Sequence, residues 1–212
     1  MRQSLALAPS VVRLFDTRGR LTHELGGGRQ YFTPGSSAVS VLDRAGGGAR
    51  PPVTADYVRY VQVVGALAHF ASQSTAFIPA DVPAAISDSY RLYLSLLHGE
   101  KPVVTGTFSA ASLPVMRDLQ LVIRGSAREL EAKPLTIYTC CPTSPLAWSA
   151  DAYGALLDCA RSGIPVEIVP MPLAGFVAPV RLAGTLVQHT AEVLSGVVLA
   201  QLARAGAPVI YG

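Results

Sequence analysis

Four times in this chain a proline opens a short apolar run: Lys101-Pro102-Val103-Val104, Lys133-Pro134-Leu135-Thr136-Ile137, Ile164-Pro165-Val166-Glu167-Ile168 and Ala207-Pro208-Val209-Ile210. Proline has no N–H to give to a strand ladder, so it is tolerated at the first residues of a strand but not in its middle. Each run follows a stretch of helical pattern, and helices are expected at 112–130, 149–162 and 182–204. The repeat is that of βα units, roughly 30 residues or more. Strands that alternate with helices in this way make a parallel sheet. A further strand near Thr75-Ala76-Phe77-Ile78 brings the expected number to about five. Such a set suits either an open doubly wound sheet or part of an eight-stranded barrel, which needs about 250 residues.

Two more helices precede the first proline-led strand. Thr54 followed by Ala55-Asp56 reads as an N-cap with an early acid, opening a helix that runs to Phe70. A second runs from Pro83 to Leu97 and ends at His98-Gly99. Residues 1–53 have a different character. Val11 to Phe15 and Leu21 to Leu25 form two short strands joined by a turn at Asp16 to Arg20. Glycine clusters at 26–28 and 46–48 and the pair Pro51-Pro52 complete a loop-rich segment that ends in a linker. The division is therefore a β-hairpin and loop region over 1–53 and an α/β domain over 54–212. Neither glycine cluster has the ending of a phosphate-binding loop or the G-x-G-x-x-G spacing, and plain turns explain both.

Composition narrows the function classes. Half the residues are hydrophobic and 15% are charged, which suits a large buried sheet under alanine-rich helices. The net charge of +3 comes without any basic run, so no nucleic-acid partner is expected. The three cysteines form no C-x-x-C, which argues against structural zinc and for reduced thiols in the cytoplasm. The apolar run at the N-terminus is too short for a signal peptide. Leu182 to Leu202 is the longest apolar stretch, but Gln188, His189 and Glu192 interrupt it, so a buried amphipathic helix is expected and no membrane span.

In α/β folds ligands meet the carboxyl ends of the strands. That rule selects Thr105 to Ser109, Thr139 to Leu146, Met171 to Gly175 and Tyr211-Gly212. In the second set, Cys141, Thr143 and Ser144 stand on a stiff loop at a strand end; alternatively Cys140 packs as a small hydrophobe and Ser144 caps the next helix. Neither a base beside the cysteines nor a G-x-S-x-G occurs for nucleophilic catalysis. Met171, Leu173 and Gly175 form the mouth loop after the third proline-led strand. Gln188, His189 and Glu192 share a face of the helix that follows, as pocket lining or structural contacts, and two ligands do not make a metal site. Glu167, inside a buried strand, needs a partner, with Arg181 or a lysine from chain outside this segment as candidates.

The longest motif run is Gly-Ile-Pro-Val-Glu-Ile-Val-Pro-Met-Pro-Leu-Ala-Gly at 163–175, continued by Ala-Pro-Val at 178–180, Leu-Ala-Gly-Thr-Leu-Val-Gln-His at 182–189 and Ala-Glu-Val-Leu at 191–194. With Pro142-Thr143-Ser144-Pro145-Leu146 and Gly206 to Gly212, it resembles the trimethylamine:corrinoid methyltransferase family, non-pyrrolysine homologues included. The resemblance implies a TIM-type (β/α)8 barrel, present here in part and preceded by the small N-terminal hairpin region. It implies transfer of a methyl group from a methylated amine to the cobalt of a cognate corrinoid protein. Cobalt(I) would be the nucleophile, with the corrinoid (cobalamin) carried by the partner and no cofactor bound directly. Cys141, Thr143, Ser144, Met171, Leu173, Gly175, Gln188, His189 and Glu192 would then face substrate or corrinoid, with no residue assigned as acid or base. Because the chain stops on a strand, a fragment without turnover of its own is expected. Two other readings stay open, a non-catalytic interaction module and a different barrel enzyme.

Overall fold

The computed structural model describes residues 2–43 and 46–212. They comprise α1 (Arg2–Leu7), β1 (Val12–Phe15), β2 (Leu21–Leu25), β3 (Val41–Asp43), β4 (Gly48–Arg50), α2 (Thr54–Ala66), β5 (Gln73–Ser74), α3 (Ser87–His98) and β6 (Val103–Thr105), followed by α4 (Leu113–Arg124), α5 (Ala127–Ala132), β7 (Thr136–Cys140), α6 (Ala150–Ser162), β8 (Val166–Ile168), α7 (Leu182–Ala203) and β9 (Val209–Tyr211). The α/β expectation holds: five parallel strands lie in one sheet in the order β5-β6-β7-β8-β9, the same as their order in sequence. Two compact units make up the chain, an N-terminal one of Arg13–Gly106 with Ala111–Thr136 and a C-terminal one built mainly of Ile137–Gly212.

The four prolines sit where their chemistry allows. Each stands one or two residues ahead of its strand, and the carbonyls of three of them serve the sheet ladder, while that of Pro134 accepts from the Phe15 N–H at 3.0 Å. Pro102, Pro165 and Pro208 accept from the N–H groups of Gln73, Tyr138 and Val166 at 2.9, 2.9 and 3.2 Å.

In the N-terminal unit, β1 and β2 pair across the expected turn. The buried Asp16 carboxylate organises that turn by accepting from the backbone N–H groups of Arg18 and Arg20, both at 2.9 Å. The second glycine cluster departs from expectation. It belongs to an antiparallel hairpin, with Val41 opposite Arg50 and Asp43 opposite Gly48, and not to a linker. That hairpin delivers Arg50 to Asp56, which it holds with two bonds of 2.7 and 2.9 Å. Asp56 also accepts from the Val53 N–H at 2.9 Å, so Val53 is the cap of α2 and Thr54 is its first residue. The Arg50 guanidinium, helped by that N–H, pushes the Asp56 carboxyl down to about 2.

Helix α2 stops four residues short of Phe70, where Leu67 turns extended. The Lys101 ammonium donates to the Val64 and Leu67 carbonyls there, both at 2.7 Å, a favourable place for a cation. Tyr57, Val61 and Leu94 form the core between α2 and α3. The helix expected from Pro83 is divided into a 3-10 turn at Ala84–Ile86 and α3. The helix expected over 112–130 is divided as well. Gly125, at φ 78°, ends α4, and the Ser126 hydroxyl accepts from the Glu129 N–H to start α5.

His23 on β2 is 5% exposed, between the Thr22 hydroxyl at 3.0 Å and the Ser72 hydroxyl at 3.2 Å. Burial lowers its affinity for a proton below the ordinary value of 6.5. The unfolded chain therefore binds the proton more readily than the native one, and stability falls as the pH drops below that value. Denaturant unfolding followed from pH 8 to 5 should show this loss, and His23→Gln should remove most of it.

The C-terminal unit pairs Tyr138 with Val166 and Cys140 with Ile168, then Val166 with Val209 and Ile168 with Tyr211. Helix α6 is capped by the Ser149 hydroxyl, which accepts from the Ala152 N–H at 3.2 Å, and it ends at Gly163 in the left-handed region. Helix α7 corrects the expectation of a buried apolar face. Its inward stripe is Glu192, Val193, Gly196, Ala200 and Gln201, while Leu182, Leu186, Val187, Leu194 and Leu202 point outward. Close packing explains the inversion. A Cβ on Gly196 would lie 2.6 Å from Ile168 Cδ1 and 2.9 Å from Trp148 Cζ2, so only a small residue fits under the helix. By length and composition alone α7 could cross a membrane.

Candidate functional site

The loops that follow β7 and β8 in the C-terminal unit hold most of the residues selected from the sequence, and α7 supplies the rest. The first loop folds back on itself. Thr143 and Ala147 exchange backbone hydrogen bonds of 2.8 and 3.0 Å around a cis Ser144–Pro145 peptide, and Leu146 adopts φ 52°. The second turns tightly at Gly175, whose φ of 79° suits glycine and whose N–H donates to the Ala178 carbonyl at 2.9 Å.

Glu192 ties these loops to α7. Its side chain is buried, and its carboxylate accepts from the Ser144 hydroxyl at 2.7 Å, the Leu146 N–H at 3.0 Å and the Gln188 amide at 2.9 Å. The same Gln188 amide donates to the Val177 carbonyl at 2.9 Å, so one side chain braces both loops. One turn further along α7, Ser195 accepts from the Trp148 indole N–H at 3.0 Å. Burial by itself would raise the Glu192 carboxyl; the donors from Leu146, Ser144 and Gln188 and the nearby His189 outweigh it and hold the group below the ordinary value.

The structure thus brings Ser144, Gln188 and Glu192 together and leaves the other residues apart. Ser144 does not cap α6, a role taken by Ser149. Thr143 is exposed and contributes backbone bonds. Met171, Leu173 and Gly175 are exposed on the second loop, where the Leu173 carbonyl accepts from Phe176, Val177 and Ala178. His189 lies against the Tyr211 ring, 5.8 Å between centroids. Among the described residues no group of three His, Cys, Asp or Glu is placed to hold a metal ion.

A second group stands near the carboxyl ends of β7 and β8, one residue before the last of each. Thr139 and Glu167 are register partners, and the Thr139 hydroxyl donates to the Glu167 carboxylate. The expected partner, Arg181, sits instead at the N-cap position of α7. Val166 and Ile168 are fully buried, with Ile168 against Gly196 of α7, so the pleat turns Glu167 and Thr139 to the opposite face of the sheet. Half-buried Cys141 follows β7 directly. Burial pushes the Cys140 thiol up to about 12, and burial followed by the Glu167 charge raises Cys141, so neither is a thiolate at neutral pH. The roles of Thr139, Trp148 and Ser195 had no signal in the sequence, because each depends on a neighbour that is 28 or more residues away.

The arrangement is that of an α/β protein whose strand-end loops are braced by one helix. The family described as Trimethylamine methyltransferase (MTTB) matches residues 1–212, and the chain belongs to it. It is similar to the trimethylamine methyltransferase MttB of Desulfitobacterium hafniense, 28% identical over 212 residues, which covers all of this chain and 43% of the relative. The protein of the same name from Methanosarcina barkeri is 51% identical over 88 residues, 42% of this chain and 18% of the relative. A glycine betaine methyltransferase of Desulfitobacterium hafniense is 29% identical over 189 residues, 89% of this chain and 39% of the relative. The chain spans less than half the length of these relatives.

Proposed function

We propose that this chain is part of a cytoplasmic methyltransferase. It would take a methyl group from trimethylamine or from a quaternary amine such as glycine betaine and pass it to the cobalt of a cognate corrinoid protein. The family match across all 212 residues carries this reading. The five-stranded parallel sheet supports a further step: residues 54–212 would belong to a (β/α)8 barrel, with residues 1–53 as an N-terminal hairpin region before it.

In the transfer the carbon–nitrogen bond breaks, its electron pair stays on nitrogen, and the methyl group leaves to the acceptor. Such a reaction asks the protein for alignment and exclusion of water more than for acid or base groups. Both are supported by the geometry. The brace of Gln188 and Glu192 holds the strand-end loops in one arrangement. Leu146, Met171, Leu173 and Phe176 stand exposed on those loops, an apolar rim that the corrinoid protein would cover.

The test mixes the complete gene product with a reduced corrinoid protein and trimethylamine or glycine betaine, and follows the cobalt absorbance. Methylation of cobalt with one of these amines is expected. A series of methylated amines that all leave the cobalt spectrum unchanged would remove the proposal.

A further inference from the structure

We infer that Glu167 receives the positively charged nitrogen of the methylated ammonium substrate, an assignment that rests on the methyltransferase reading above. Glu167 is the middle residue of β8, one residue before its carboxyl end and on the face turned away from α7, and α/β folds meet their ligands at the carboxyl ends of their strands. Its charge is handled unlike those of the other carboxylates withdrawn from solvent. Asp16 is paired with Arg20 and Asp88 with Arg91, while Glu192 takes three donors. Half-buried Glu167 has one neutral hydroxyl, that of Thr139, and no ion pair with any described lysine, arginine or histidine. Partial burial of a carboxylate without a cation is unfavourable, and a bound cation removes that cost.

The surroundings keep the field negative. The neighbouring Cys140 and Cys141 thiols are raised by burial and in part by Glu167 itself, so they are neutral and add no competing charge. A quaternary nitrogen has no N–H and cannot be recognised by a directed hydrogen bond. A fixed carboxylate attracts it through its charge alone, and Thr139 fixes this one. The nitrogen loses its positive charge as the methyl group departs, so Glu167 favours bound substrate over the transition state. Its removal should therefore weaken binding and leave kcat unchanged or raised.

The test measures equilibrium binding of tetramethylammonium to the complete gene product, with tert-butyl alcohol as a neutral probe of similar shape. Glu167→Gln keeps an acceptor for Thr139 and should weaken tetramethylammonium by about tenfold or more, leaving tert-butyl alcohol unchanged. Thr139→Val retains the charge and should keep most of the cation binding. Ile210 is the register partner of Glu167 on β9, so Ile210→Lys sets a competing cation beside an intact Glu167 and should abolish tetramethylammonium binding. Equal tetramethylammonium affinity in wild type, E167Q and I210K, or no binding by the wild type, would overturn the inference. Cobalt methylation with unaltered E167Q binding removes this assignment alone. Glu167-dependent binding without cobalt methylation removes the methyltransferase reading alone.

Discussion

Glu192→Ala should destabilise the C-terminal unit by about 3 kcal/mol and loosen the loop after β7. The carboxylate is 1% exposed and serves three donors. Hydrogen bonds to a charged group contribute about 1.5–3 kcal/mol each, and the sum is not additive because the freed Ser144 and Leu146 groups can reach water. Glu192→Gln preserves the shape but turns one acceptor into a donor, so a smaller loss, about 1–2 kcal/mol, is expected. The sign with pH follows from the lowered carboxyl: its contribution is complete above the ordinary value of 4.5 and is lost as the pH falls through the lower native value. E192Q should lack that part of the acid loss. Trp148 is the one tryptophan of the chain and bonds to Ser195 on the next turn, so its fluorescence reports this region directly. An E192A protein with wild-type unfolding and wild-type emission would show that the brace contributes nothing.

Asp88→Ala should cost the N-terminal unit about 3–5 kcal/mol, the usual penalty for removing one partner of a buried ion pair. The Arg91 side chain is 1% exposed, and the Asp88 carboxylate lies 2.6 Å from it. Arg91 also donates to the Thr75 carbonyl at 3.3 Å and to the Ser37 hydroxyl at 3.4 Å, both neutral acceptors. The loss should shrink when the guanidinium is removed as well. Asp88→Ala combined with Arg91→Met should be closer to wild type than Asp88→Ala alone, because no buried charge remains. Denaturant midpoints for the four proteins of this cycle decide the matter, and a single-mutant loss below about 1 kcal/mol would contradict it.

Much of the fold was legible because local signals acted alone. Proline at 102, 134, 165 and 208 marked strand openings, and the strands lie there. The division of the 112–130 helix was also written locally, in Gly125-Ser126, an end signal followed by a start signal. The second hairpin was harder to see, because glycine at 46–48 suggests a loop, while pairing of Val41 with Arg50 depends on the partner strand. The site was legible only in part. Ser144, Gln188 and Glu192 were selected one by one from strand ends and helix faces. Nothing local showed that they bind one another, or that Glu167 would have Thr139 and not Arg181 beside it.

By itself the sequence determined the alternation of strand and helix, the position of each proline-led strand opening and the family, since periodicity, proline and motif runs are properties of contiguous residues. Tertiary structure alone decided which side of α7 turns inward. Hydrophobicity would have buried its leucines, but the close approach of Ile168 and Trp148 admits only Gly196 and its small neighbours, and the strand-end loops need Glu192. Steric fit and the demand of buried donors for an acceptor outweighed the apolar pattern, and both come from residues far away in the chain.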